Sequence, residues 1–181
     1  PYEKAETLLR LMGVEDAREI RSLLGYKENT AGGLMTTQFV AMNETDTVGD
    51  TIEVLRGLDD DFPTVHYVYV LKEDTEKLVG VMSMRQLVLA HNSDALGSVM
   101  YTDMISVGPD EHEDDVVSDI SKYDLLAMPV VDEAGCMLGL VTVDDALDVI
   151  EESTESEKTT NLWLKVLGIS VGAIAFLALY T

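Results

Sequence analysis

Apolar and polar positions occur in the same order in two stretches of this chain. The repeat becomes visible when Met35 is placed over Met100. A repeated pattern of this kind indicates two copies of one structural unit. The register pairs Thr37 with Thr102, Val40 with Ile105, Met42 with Val107, Asp46 with Glu111, Asp50 with Asp115 and Ile52 with Val117.

Each copy contains the signals of two apolar strands joined by a polar turn. The strands are residues 67–70 and 78–83 in the first copy and residues 128–131 and 137–142 in the second. With the segments around them, each copy predicts strand, helix, strand, turn, strand and helix. The fold class is therefore α/β (α+β), with helices on one face of each small sheet. The other faces are apolar, so we expect the two copies to cover each other.

Glycine marks the segments before the first copy. The first 26 residues predict two short helices that end at Gly13 and Gly25, because glycine often follows a helix C-terminus. The Gly32–Gly33 pair indicates a tight connection that needs unusual backbone angles.

The far end of the chain is apolar. Residues 162–180 carry one charge, on Lys165, and have Trp163 and Tyr180 near opposite ends. This length just suffices to cross a bilayer, and aromatic side chains favour its two interfaces. We predict a transmembrane helix at residues 162–181, with a buried C-terminal helix as the alternative. The chain begins with Pro1 and stops within this run, so we expect a piece of a longer protein.

Charge narrows the classes of partner. The chain has 12 basic and 34 acidic residues, a formal net charge of −22, which argues against nucleic acid as a partner. Cations, a basic partner or a salt-rich habitat would each fit such a surface. The single cysteine, Cys136, excludes an internal disulfide and favours a reducing compartment. No set of nucleophile, base and orienting residue is found, so an enzyme is not predicted.

The acidic residues are most ordered in the last helix of the second copy. Thr142 is a natural N-cap, and carboxylates then recur at Asp145, Asp148, Glu152 and Glu155. On a helix these four side chains fall within an arc of roughly 80°. Ala146, Leu147, Val149 and Ile150 would pack inward from the other side. Carboxylates at this spacing on one helix repel each other. A hard cation such as Mg²⁺ would relieve the repulsion, although a solvated acidic face is the alternative.

The repeated Gly-apolar-apolar-Ser/Thr step, at Gly80–Ser83 and Gly139–Thr142, resembles tandem CBS domains, also called a Bateman module. Residues 30–36, which read TAGGLMT, resemble the start of the first CBS unit in MgtE-type magnesium transporters. This resemblance extends from Leu23 to Glu155.

The resemblance implies two sets of binding residues. The acidic positions that bind Mg²⁺ in the family are matched by Asp114, Asp124, Asp145, Asp148, Glu152 and Glu155, whereas Ser156 stands where another acid is common. The positions for an adenosine phosphate such as ATP are matched by Ser83, Arg85, Thr142 and Asp145. Gln86 replaces the acid of the first copy, and Leu125 replaces an aromatic residue that would stack on adenine.

These expectations give one organisation and two functions. The domains would be a helical segment at residues 1–26, CBS domains at 27–95 and 96–152, a connecting segment at 153–161 and a transmembrane helix at 162–181. The favoured function is a regulatory region, homodimeric through its CBS domains, that senses Mg²⁺ and gates a magnesium transporter or channel. Residues 1–160 would lie on the cytoplasmic side of the cell membrane. The alternative is a membrane-tethered sensor of adenine nucleotides.

Overall fold

The computed structural model describes residues 13, 17, 20–21, 23–60, 62–63 and 65–151. Its helices and strands follow the predicted repeat. In chain order they are α1 (Ala31–Leu34), β1 (Val40–Asn43), α2 (Val48–Arg56), β2 (Tyr67–Leu71), β3 (Leu78–Ser83), α3 (Met84–Leu89), α4 (Leu96–Val99), α5 (Glu113–Lys122), β4 (Ala127–Val131), β5 (Met137–Thr142) and α6 (143–151). The α/β class is confirmed.

Little of the predicted N-terminal helical segment lies within the described residues. Residues 17, 20, 21 and 23 are helical, and the Leu24 amide donates to the Ile20 carbonyl at 2.9 Å. The chain leaves the helix in a turn at Leu24 and Gly25. The second of the two predicted helices is thus present and ends where glycine indicated, and the first lies outside the described residues.

The first unit has a three-stranded sheet in the order β1-β2-β3. Strand β1 runs parallel to β2, because α2 lies between them in the chain and returns it to the same edge. Strands β2 and β3 form an antiparallel hairpin. A core of Val40, Val48, Val68, Val70 and Met82 fills the space between this sheet and α2 and α3.

The second unit lacks the first strand that the repeat predicts. Strands β4 and β5 pair as expected, but the segment matching β1 is reduced to a single parallel bridge between Val107 and Val130. The Val107 amide donates to the Pro129 carbonyl, and the Val131 amide donates to the Val107 carbonyl. The preceding bond of that ladder would need an amide hydrogen on Pro129, and the following bond would need one on Pro109, but proline has none. The two prolines therefore confine the pairing to one bridge.

The two units exchange their entry segments, defined here as residues 30–36 and 95–101. Thr36, which precedes β1, bridges to Leu140 in the second unit, and Tyr101 bridges to Val81 in the first. Ala31 and Met35 belong to the core of the second unit. Leu96 and the partly buried Met100 belong to the core of the first. Each core is thus completed by a segment that precedes the other unit.

Backbone hydrogen bonds hold both segments in equivalent ways. The Ala31 amide donates to the Glu111 carbonyl at 2.8 Å, and the Gly32 amide donates to the Pro109 carbonyl at 2.9 Å. In the other unit, the amides of Leu96 and Gly97 donate to the carbonyls of Asp46 and Glu44, both at 2.9 Å. The four contacts obey the register of the sequence repeat, so the pair has an internal pseudo-two-fold relation.

The glycine pair in the first entry segment is explained by close packing. Gly32 and Gly33 lie in helix α1, without the unusual backbone angles that we expected. A Cβ at Gly33 would lie 2.2 Å from the Lys27 carbonyl oxygen, and one at Gly32 would lie 2.6 Å from the Tyr26 ring. The expectation of special angles was wrong, because the preceding turn approaches the helix too closely for any side chain.

Glycine has the same role where the exchanged segments cross the sheets. A Cβ at Gly80 would lie 2.3 Å from the Met100 sulfur, and one at Gly139 would lie 2.6 Å from the Thr36 carbonyl oxygen. These glycines form the first position of the repeated Gly-apolar-apolar-Ser/Thr step. Their lack of a side chain lets the entry segment of the other copy lie on the sheet.

We predict that Gly139→Ala destabilises the protein by about 1–3 kcal/mol, because the new methyl group meets the backbone of Thr36 rather than a flexible side chain. Urea denaturation followed by circular dichroism measures the change in the free energy of unfolding. Gly108→Ala is the matched control, since a Cβ at Gly108 has no atom within 4 Å. Equal stability of the two variants would contradict the packing argument.

Candidate functional site

Three helices begin with the same reciprocal arrangement of two side chains. At the start of α6, the Thr142 hydroxyl accepts from the Asp145 amide at 3.3 Å, and the Asp145 carboxylate accepts from the Thr142 amide at 3.1 Å. Thr47 and Asp50 form the same capping box at α2, and Ser83 and Gln86 form it at α3. Each box satisfies backbone donors that the first helical turn leaves unpaired.

The capping boxes account for most of the predicted nucleotide residues. Thr142 and Asp145 are brought together as the motif implied, and their side chains also bond to each other at 2.6 Å. In the first copy, the Gln86 amide oxygen occupies the position of the acid and accepts from Ser83 at 2.9 Å. Arg85 is exposed in the first turn of α3. The polar atoms of Thr142, Asp145 and Ser83 are therefore occupied in capping.

The pKa of the capping carboxylate of Asp50 is shifted in the direction expected for a hydrogen-bonded acid. Hydrogen bonds from the Thr47 side chain, and then from its backbone, lower the pKa of Asp50 below its ordinary value. A depressed pKa means that the folded state favours the ionised carboxylate. This contribution to stability is present above the ordinary pKa of 3.8 and is lost as the pH falls through the lower, folded-state value.

The acidic face of α6 is present as far as the structure describes it. Asp144, Asp148 and Glu151 are exposed, and Asp145 is half-buried at the cap. None of the three exposed carboxylates has an ion-pair partner among the described residues. Glu152 and Glu155, which would continue the face, lie outside those residues.

The apolar side of α6 is only partly packed. Ala146 and Val149 are buried as predicted, but Leu147 is 52% exposed and Ile150 is 45% exposed. Both line an open groove of about 350 Å³ beside α5, together with Val117, Ile120, Ser121, Asp124, Leu125, Leu126, Val143 and Ala146. The expectation that all four apolar residues pack inward was wrong for two of them, because they line this groove rather than the core.

The other two predicted metal ligands lie at opposite ends of α5. Asp114 is exposed in the first turn, where its carboxylate lies 3.4 Å from the His112 Nδ1 atom. Asp124 follows the end of the helix with a φ of +51°. The Leu125 amide then donates back to the Ile120 carbonyl at 3.0 Å, which closes the helix end. Asp124 also lines the groove beside α6.

A metal centre is not assembled within the described part of the chain. No group of three or more aspartate, glutamate, histidine or cysteine side chains comes close enough there to hold an ion. Asp114 lies at the start of α5, whereas Asp145 and Asp148 lie on α6, the first of them in its cap. Asp124 lines the groove beside α6. The metal ligands therefore stay a prediction.

Two clefts lie between the units, at positions that the repeat relates. One is a space of about 30 Å³ lined by Thr36, Gln38, Phe39, Val40, Phe62, Pro63, Val65, His66, Tyr67, Tyr69, Ala127, Leu140 and Thr142. The other is a space of about 290 Å³ lined by Tyr67, Tyr69, Val81, Tyr101, Asp103, Met104, Ile105, Tyr123, Leu125, Ala127 and Pro129. We call them the closed cleft and the open cleft.

The clefts differ in how far aromatic side chains fill them. Tyr67, Tyr69 and Ala127 line both clefts. In the closed cleft, Phe39 packs edge-on against Tyr69, with ring centroids 6.2 Å apart. The residue that the repeat matches to Phe39 is Met104, which lines the open cleft. The ring of Phe39 thus occupies the closed cleft, and the open cleft has more room for a ligand.

The open cleft has aromatic walls that sequence reasoning missed. Leu125 lines it, as the motif implied, but Tyr101 and Tyr123 line it as well and are both exposed. Tyr101 is the last residue of the second entry segment, and the repeat matches it to Thr36, which lines the closed cleft. The repeat could therefore have placed Tyr101 at the open cleft. Leu125 thus lacks the ring that would stack on adenine, but Tyr101 and Tyr123 supply two other rings at the same cleft.

Within the described part of the chain, the helices are too short or too polar to span a bilayer. The predicted transmembrane helix at 162–181 and the connecting segment at 153–161 lie outside those residues.

Comparison with known proteins identifies the repeated unit. The CBS domain family model matches residues 31–92 and 96–152. The magnesium transporter MgtE of Enterococcus faecalis is 39% identical over 143 residues, which cover 79% of this chain and 31% of that protein. MgtE of Thermus thermophilus is 39% identical over 150 residues, covering 81% and 33%. The chain thus spans about a third of the length of these curated relatives.

Solved structures agree with the sequence matches. The soluble part of a magnesium transporter superposes with a TM-score of 0.76 at 39% identity, covering 80% of this chain and 56% of that one. The cytosolic domain of the Mg²⁺ channel MgtE in complex with ATP gives a TM-score of 0.76 at 37% identity, covering 80% and 58%. These relatives are transporters and regulatory domains rather than enzymes, which agrees with the sequence prediction. The chain belongs to the CBS domain family, as a tandem pair similar in sequence and structure to the cytosolic domain of MgtE magnesium transporters.

Proposed function

We propose that this CBS pair is the Mg²⁺-responsive regulatory region of a membrane magnesium transporter or channel. The observation that carries the proposal is the acidic face of α6. Asp144, Asp148 and Glu151 are exposed side by side with no described cation to balance them. The sequence extends this face through Glu152 and Glu155.

The position of this face in the helix makes it sensitive to a cation. Like charges three and four residues apart on a helix repel each other. The sequence places Glu152 and Glu155 towards the C-terminal end of this helix, where the dipole disfavours negative charge. A divalent ion bound through carboxylates and water would remove both costs. Asp124, at the groove beside α6, supplies a further acidic side chain on the same side of the unit.

The mechanism is a charge-controlled equilibrium between two arrangements. Without Mg²⁺, the acidic face of α6 and the predicted ligands Asp114 and Asp124 repel other acidic surfaces, including those of a second copy in a homodimer. With Mg²⁺, ions bridge these surfaces, and a compact arrangement acts on the membrane segment through residues 153–161. The ion shifts the equilibrium only as far as its affinity for the two arrangements differs. This proposal places residues 1–160 on the cytoplasmic side of the membrane and residues 162–181 within it.

We predict that Mg²⁺ stabilises the chain against heat. At free Mg²⁺ of about ten times its Kd, the expected rise in Tm is about 3–6 °C. Differential scanning fluorimetry of the 181-residue chain in millimolar steps of Mg²⁺ measures this rise. The variant Asp148→Asn/Glu152→Gln should lose most of it, because two carboxylates of the face become neutral.

The matched control is Glu133→Gln, which removes one negative charge from the exposed turn between β4 and β5. It should keep the full Mg²⁺ response. NaCl at equal ionic strength controls for screening, since screening would act on every acidic residue. An equal response in all three proteins, or the same response to NaCl, would contradict the sensor and leave a solvated or salt-adapted surface.

A second function, the binding of adenine nucleotides, is favoured by the open cleft. Aromatic side chains line it, and the solved cytosolic domain of MgtE that this chain resembles is in complex with ATP. Adenine stacks on such rings. The family motif supplies a hydroxyl and a carboxylate for phosphate and ribose, which Ser83, Thr142 and Asp145 match, and Arg85 matches an arginine that would pair with phosphate.

We predict that Tyr101→Ala weakens the binding of AMP about tenfold or more, because one stacking surface is lost. Isothermal titration calorimetry measures the Kd. Leu89→Ala is the control, since Leu89 is an exposed apolar residue that does not line either cleft. If AMP does not bind the unaltered chain at millimolar concentration, the nucleotide function is wrong, whatever the response to Mg²⁺.

A further inference from the structure

The open cleft carries charge of the wrong sign for phosphate groups. Among its described lining residues the ionisable groups are the carboxylate of Asp103 and the hydroxyls of Tyr67, Tyr69, Tyr101 and Tyr123. None of these residues is a lysine or an arginine. Asp103 is exposed, in the segment that follows the second entry segment. A bound polyphosphate would therefore face a carboxylate within a protein of net charge −22.

Two described cations, Lys122 and Arg85, lie outside the lining of the open cleft. Lys122 lies with its Nζ atom 4.6 Å from the centroid of the Tyr123 ring, on the side chain of a cleft residue but not in the cleft lining. A hydrogen bond that the Lys122 ammonium donates to the Tyr123 side chain raises the pKa of Lys122, so the lysine keeps its charge beside that residue. Arg85, the predicted phosphate ligand, is exposed at the start of α3 and is absent from the cleft lining.

The interior of the cleft fits an uncharged polar aromatic ligand. Tyr69 is 1% exposed, and its hydroxyl has no hydrogen-bond partner among the described residues. Leaving a buried hydroxyl unpaired is unfavourable. Tyr69 lines both clefts, so its hydroxyl is a polar group in the wall that the clefts share. Burial also raises the pKa of the Tyr69 hydroxyl, which keeps it neutral and able to donate. Tyr101 and Tyr123 provide ring surfaces at the same cleft.

We propose that the open cleft selects its ligand by the nucleoside portion and discriminates against phosphates, with Asp103 as the discriminating residue. The cleft thus fits adenosine better than the triphosphate of the similar solved structure. This inference rests on the second proposed function, the binding of adenine compounds, and specifies its ligand class.

The test compares adenosine, AMP and ATP by calorimetry on the full chain, without divalent cations and at constant ionic strength. We expect adenosine to bind at least as tightly as ATP. The variant Asp103→Asn keeps an acceptor oxygen and removes the charge. It should tighten ATP binding about threefold or more and leave adenosine within about twofold, because only the charged ligand feels the carboxylate. Glu133→Gln, far along the chain in an exposed turn, controls for net charge and should change neither ligand.

Other outcomes separate this inference from the function on which it rests. If affinity increases from adenosine to ATP, phosphates are recognised and the inference is wrong, while nucleotide binding stands. Lys122→Gln then shows whether Lys122 supplies the attraction. If Asp103→Asn and Glu133→Gln change ATP binding equally, Asp103 has no specific role, and the inference is again wrong. If neither adenosine nor ATP binds, both the inference and the second function fail.

Discussion

The contact on which the pair depends is the seating of each entry segment on a glycine of the opposite sheet. Met100 lies where Gly80 has no side chain, and Thr36 lies where Gly139 has none. These contacts place Ala31 in the core of the second unit and Leu96 in the core of the first, and both residues are fully buried. Since neither core is complete without the other copy's segment, the two units should unfold together rather than in sequence.

The same exchange explains why the clefts are built from both copies. Each entry segment ends beside the strand pair of the opposite unit, so Thr36 lines the cleft that contains Thr142, and Tyr101 lines the cleft that contains Val81. Exact symmetry would make the clefts equal. Tyr67, Tyr69 and Ala127 line both clefts, whereas the ring of Phe39, packed on Tyr69, lines the closed cleft and the matched Met104 lines the open one. This one pair of matched positions distinguishes the side that can hold a ligand.

Sequence reasoning located what depends on periodicity and on local hydrogen bonding. The repeat predicted the strands and helices of both units, and Thr142 was recognised as the N-cap of α6. It failed where contacts are long-range. The need for glycine at position 33 comes from the carbonyl of Lys27, and the missing strand comes from Pro109 within the segment together with Pro129 on the neighbouring strand. The contacts made by Lys27 and Pro129 are not visible in the segments that they affect.

For the candidate site, the sequence identified residue types more surely than their surroundings. Asp145 was expected on the acidic face, but its carboxylate caps α6. Leu147 and Ile150 were assigned to the core by helical spacing, although spacing does not reveal whether a neighbouring helix is close enough to cover them. The tyrosines of the open cleft come from distant positions, and only the fold assembles them.

The exchanged entry segment also defines a route for mechanical force. Upstream residues connect to the first unit by chain order, but their backbone is bonded to the second. The carbonyl of Asn29 accepts from Glu113, and the amides of Ala31 and Gly32 reach Glu111 and Pro109. A pull on the chain before residue 29 is therefore resisted at the N-terminus of α5 before it reaches β1. The unit nearer to the C-terminal end is the first to bear the load.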